Sequence, residues 1–141
     1  MRKKVSRQRP KWYDKYWLEP EYKKLVIAWC RCYKSWKYRL MDLRNALRAI
    51  EYKEDIVQTS GDYNQTEDIA LKCVELEKKM NILEETAKEV APDLYFWLIK
   101  GVTDEYVTVS ELMQQGMPCS RNTYSRLTDK FYYVLSKRID V

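Results

Sequence analysis

The sequence predicts an all-α protein, a long antiparallel helical hairpin followed by a C-terminal helix-turn-helix domain. Three observations carry that prediction. Only 3 Gly and 4 Pro occur in 141 residues, fewer turn formers than a sandwich or an α/β sheet needs. Hydrophobic residues make up 45%, enough for one packed core. The two longest stretches without Gly or Pro carry apolar residues spaced alternately 4 and 3 apart, the repeat of a packed helix seam. The chain divides into a basic aromatic arm (1–19), the antiparallel helical hairpin (20–91) and the helix-turn-helix domain (92–141).

The first helix of the hairpin is predicted from Glu21 to about Tyr52, with Pro20 near its start, where a missing N–H costs nothing. Its seam runs Tyr22, Val26, Trp29, Tyr33, Trp36, Leu40, Leu43, Leu47, Ile50. A polar cluster of turn formers, 58–65, separates it from the second helix. That helix has Thr66 as N-cap and Glu67 and Asp68 where the helix dipole favours acid. Its seam is Ile69, Cys73, Leu76, Met80, Leu83, Ala87, Val90, and Pro92 ends it. The same seam can pair between chains, so a homodimer through the hairpin is an expectation as well.

Beyond Pro92, a short helix from Asp93 to Lys100 is expected to stop at Gly101. Thr108 and Glu111 form a capping box that opens a brief helix, and Gly116 closes it. Ser120 caps the last helix, 120–137, which continues towards Arg138. A short helix, a tight Gly-containing turn and a longer helix are the parts of a helix-turn-helix. Tyr124, Leu127, Phe131 and Val134 or Leu135 make its core face, packed against Leu112 and the 93–100 helix.

Charge is distributed in blocks. Net charge is +5, yet residues 1–48 hold 15 Lys and Arg against 4 Asp and Glu, and residues 49–105 hold 6 against 14. Pairing of the basic first helix with the acidic second accounts for much of this pattern, and the block arrangement also suggests polyanion contact at the ends. No apolar run reaches the ~18 residues of a membrane span, and no signal peptide opens the chain, so a soluble cytoplasmic protein is expected, with no membrane partner.

The residue inventory points away from catalysis. His is absent, and with it the commonest general base and metal ligand. There is no glycine-rich phosphate loop, nucleophile elbow or Cys-His arrangement. Cys30, Cys32, Cys73 and Cys119 contain no C-x-x-C pair, and within a helix C-x-C sends two thiols to different faces. Free thiols, no metal, no cofactor and no enzymatic activity are therefore expected.

The candidate site is the start of the last helix. Ser120, Arg121, Asn122, Thr123, Ser125, Arg126 and Lys130 are residue types that reach base edges and phosphates, Arg to guanine and Asn to adenine. The helix N-terminus adds its amides. A second candidate is the arm, where Arg2, Lys3, Lys4, Arg7, Arg9, Lys11 and Lys15 interleave with Trp12, Tyr13, Tyr16 and Trp17. Such arms embrace phosphates or lie in a minor groove, and equally their aromatics can clip onto the hairpin. Double-stranded DNA is thus the expected partner. A non-enzymatic protein-interaction factor acting through the hairpin, such as a polymerase-binding or host-defence inhibitor, is the alternative.

The segment 102–139, with Val-Ser-Glu-Leu112, Met117-Pro-Cys-Ser-Arg-Asn-Thr-Tyr124 and Asp129-Lys-Phe-Tyr-Tyr-Val-Leu-Ser-Lys-Arg-Ile139, resembles RinA/ArpU-type late-transcription regulators of Gram-positive phages and integrative elements. Their C-terminal helix-turn-helix is similar to the promoter-reading fourth region of sigma factors. The resemblance spans roughly residues 20–139, including the acidic helix opened by Thr66-Glu-Asp68. It implies transcription regulation, contact with RNA polymerase, and Ser120 to Arg126 as the start of a recognition helix. The chain departs from sigma-like patterns at Leu112–Gln115, where an Ala is common, and in the aromatic run Phe131-Tyr132-Tyr133.

Overall fold

The computed structural model describes residues 15–56 and 63–140, with side chains for 15–52 and 65–140. Six α-helices and no strand occur among the described residues: α1 (Pro20–Arg31), α2 (Tyr33–Ile56), α3 (Tyr63–Val90), α4 (Tyr95–Val102), α5 (Val109–Gln114) and α6 (Arg121–Ser136). None is long and apolar enough to cross a membrane.

Most positions of both seams bury as their spacing predicts, with Tyr22, Trp29, Leu43, Leu47 and Met80 partly buried beside them. Val26, Tyr33, Trp36, Leu40 and Ile50 from α1 and α2 are buried, as are Ile69, Cys73, Leu76, Leu83, Ala87 and Val90 from α3. The Tyr33 hydroxyl donates to Glu84, and Arg44 pairs with Glu77. The start of α2 therefore faces the end of α3, and the two run antiparallel with basic and acidic groups across the seam. Trp29 and Trp36 meet edge to face at 4.8 Å.

Several boundaries differ from expectation, among them α2 running on to Ile56 and α4 beginning at Tyr95 rather than Asp93. The first helix is not continuous: Cys32 separates α1 from α2, its N–H reaching the Trp29 carbonyl at 3.1 Å in a tightened turn. The seam stays in phase because the break deletes no residue. Helix α3 begins at Tyr63, so Thr66 lies inside it rather than at its cap. Helix α4 spans Tyr95–Val102, so Gly101 is internal and does not terminate it. The reason is tertiary. A β-carbon at residue 101 would overlap the Tyr124 hydroxyl and stand 3.3 Å from Leu112 Cδ1, so Gly here admits α6 against α4.

Helix α6 packs against α1, α3 and α4, and its core-facing side chains belong to the same cluster as the α2–α3 seam. Its buried arc is wider than one face, comprising Tyr124, Phe131, Tyr132, Leu135 and Ser136. Polar links reinforce this seat. The Tyr22 hydroxyl donates to the Ser136 carbonyl at 3.1 Å, Lys23 pairs with Asp129 at 3.1 Å, and Arg138 pairs with Glu89 at 2.7 Å while donating to buried Thr86.

Candidate nucleic-acid interface

Local hydrogen bonds and one turn set the start of α6. Thr108 and Glu111 form the capping box of α5, the Thr108 Oγ1 accepting from the Glu111 N–H at 3.2 Å and its own N–H donating to Glu111 Oε1 at 3.0 Å. Gly116 adopts φ 106°, a left-handed conformation that suits only Gly at ordinary cost, and the chain turns there. The Met117 N–H reaches back to the Leu112 carbonyl at 3.0 Å, and both side chains are buried. Ser120 then caps α6, accepting from the Thr123 N–H at 3.2 Å.

On that frame Ser120, Arg121, Asn122, Thr123, Ser125 and Arg126 are all exposed. Arg121 donates to the Ser110 hydroxyl of α5, which ties the first residue of α6 to the preceding helix. Arg126 has no ion pair or hydrogen bond among the described residues. The buried counterpart is Tyr124, whose phenol is pushed up to about 12 by burial and so stays neutral.

Lys130 is placed differently. It is half-buried, its ammonium 5.6 Å from the centre of the Tyr16 ring, and Lys15 stands at the same distance from that ring. Tyr16 also meets Tyr133 edge to face at 5.6 Å. The described end of the arm thus clips onto α6, not onto the α2–α3 pair. Arg2, Lys3, Lys4, Arg7, Arg9, Lys11, Trp12 and Tyr13 lie outside the described residues.

A cleft of about 810 Å³ opens between residues 15–20 and α6. Trp17, Leu18 and Pro20 form one wall, and Thr123, Arg126, Leu127 and Lys130 the other. Lys23 also lines it, a residue for which the sequence offered no signal beyond its place in a basic block.

The cysteines are free. Cys30 is buried, its thiol pushed up to about 12, while Cys32 two residues on is exposed, so the C-x-C thiols do face apart. No three Cys, Asp or Glu side chains converge on a metal-sized point among the described residues. The arrangement presents cations, amides and hydroxyls on a capped helix. No family model, curated protein or solved structure matches the chain.

Proposed function

We propose that the protein is a sequence-specific DNA-binding transcription regulator of a phage or mobile element, reading the major groove with the 120–137 helix. The observation that carries this reading is the exposed polar edge of α6, Arg121, Asn122, Ser125 and Arg126, on a helix whose first turn is capped by Ser120. Bidentate Arg and Asn contacts discriminate bases, and hydroxyls with helix-terminal amides position the phosphates. In this reading α5, the Gly116 turn and α6 are the helix-turn-helix, and α2 with α3 is the hairpin. The basic arm adds phosphate contacts, and the hairpin serves dimerisation or contact with RNA polymerase. The resemblance to RinA/ArpU-type regulators points the same way.

The test is a selection from random duplexes, followed by salt titration of the winner against a scrambled control. A discrimination of ~10³ or more supports the reading. Arg121→Ala and Arg126→Ala are each expected to cost about 1–3 kcal/mol on the selected duplex. Removing residues 1–11 is expected to weaken all duplexes alike and flatten the salt dependence. Absence of enrichment refutes the regulator.

A second reading, a non-enzymatic protein-interaction factor, is favoured by one observation: Tyr38 (67%) and Met41 (57%) on α2 and Leu71 (59%) and Val74 (58%) on α3 are exposed apolar side chains on the antiparallel pair. It predicts weak, sequence-insensitive DNA binding together with a stable protein complex.

A further inference from the structure

The cleft between residues 15–20 and α6 has two kinds of wall, and their combination narrows what fits. Its cations are Lys15, Lys23, Arg126 and Lys130. The carboxylate that lines it, Asp129, is held by Lys23 at 3.1 Å, and Glu89, which neighbours Lys130, is held by Arg138. Lys15, Arg126 and Lys130 therefore have no ion-pair partner among the described residues.

The apolar wall is aromatic. The Tyr16 ring is already engaged, by two ammonium groups and by Tyr133. Trp17 lines the cleft, is half-buried and has no ring or cation partner among the described residues, so its indole is the aromatic group of the lining that is not already engaged. A volume of about 810 Å³ far exceeds what an inorganic anion needs and lies within the range of small-molecule sites.

We infer that this cleft binds a nucleotide unit, its base stacked on Trp17 and its phosphate met by Arg126, Lys130 and Lys15. Cationic side chains beside an unpaired aromatic face are the combination that holds single nucleotides, since every base has a π-face and every phosphate a charge. The unit is either a free mononucleotide or one residue of a single strand. The inference goes beyond the duplex reading and shares Arg126 with it, whereas Lys15 and Trp17 stand off the exposed edge of α6 assigned to base contacts, so variants at those two positions test the cleft separately.

The experiment is equilibrium dialysis of the full chain against four probes: AMP, adenosine, inorganic phosphate and single-stranded hexathymidylate. Saturable 1:1 binding of AMP, at least tenfold tighter than adenosine or phosphate, is expected for a free-nucleotide site. Tighter binding of hexathymidylate than AMP assigns the unit to a strand. In either case Trp17→Ala and Lys15→Gln each weaken binding fivefold or more, and Lys24→Gln, a cation on α1 outside the cleft, changes it less than twofold. Helicity by circular dichroism checks folding, and Lys130→Gln stands in if Trp17→Ala unfolds. Phosphate binding as tightly as AMP overturns the inference, as does adenosine doing so. So does no saturable binding of AMP or hexathymidylate up to about 1 mM.

Discussion

Gly101→Ala tests whether close approach of α4 and α6 is what keeps residue 101 a glycine. Two terms oppose each other. Ala in place of Gly inside a helix stabilises by about 1 kcal/mol. The new β-carbon, however, overlaps the Tyr124 hydroxyl and stands 3.1 Å from the ring carbon bearing it and 3.3 Å from Leu112 Cδ1. Tyr124 and Leu112 are both buried, and overpacking of this kind costs about 1–3 kcal/mol. The net expectation is a loss of about 1 kcal/mol, or a melting point about 4 °C lower for a chain of this size. The informative measurement is the same substitution in a Tyr124→Phe background. That change removes the overlapping oxygen and leaves contacts that yield by a few tenths of an ångström. The propensity gain then dominates, and Gly101→Ala becomes neutral or stabilising. Urea unfolding of the four proteins gives the interaction energy, expected at about 1 kcal/mol or more. Equal losses in both backgrounds, or a gain in the wild-type background, would show that the Tyr124 hydroxyl does not exclude a side chain at 101.

Three further outcomes follow from the caps, charges and thiols. Ser120→Ala is expected to cost about 1 kcal/mol in urea unfolding, with Ser120→Asp close to wild type; no loss in Ser120→Ala would show that the side-chain cap does not matter. The Arg138 guanidinium holds Glu89 below the usual carboxylate range, so this pair stabilises the fold above the unfolded carboxyl value of about 4.3. That contribution disappears as pH falls through the lower folded value. The stability gap between wild type and Arg138→Gln should therefore shrink between pH 5 and pH 2, and a constant gap would refute the coupling. Thiol labelling of the native protein should modify exposed Cys32 first and spare buried Cys30 and Cys73 until unfolding; native-state modification of Cys30, read by peptide mapping, would contradict its packing.

The heptad phase was legible because burial on a helix is a periodic property of the local sequence. Val26 through Ile50 and Ile69 through Val90 fall where the 4–3 spacing puts them. The caps at Thr108 and Ser120 were legible for a similar reason, since a cap acts within three residues. Gly101 was misread because its role depends on Tyr124, 23 positions away in the chain, and a Gly after a short apolar run reads locally as a stop. The break at Cys32 carries no Gly or Pro and so left no local mark. On α6, spacing alone identified Tyr124, Leu127 and Phe131 but not Tyr132, which is buried because α1 covers a second side of the helix and sets Lys23 5.8 Å above its ring. For the candidate site, Arg121 and Arg126 were visible as residue types. The neighbours of Lys130 were not, because Tyr16 reaches it from the opposite end of the chain.

Helix α6 packs against α3 of the antiparallel α2–α3 pair, and just past the end of α6 Arg138 reaches Thr86 and Glu89 near the C-terminal end of α3. At about 1.5 Å per residue the 28 residues of α3 extend roughly 42 Å, so most of the pair projects away from that junction. Because its seam repeats every seven residues, deleting one heptad from each strand of the pair leaves every remaining layer in register. The pair is therefore a ruler with a graduation of roughly 10 Å. The spacing between α6 and whatever the far end touches can be changed in those steps without altering how α6 is seated.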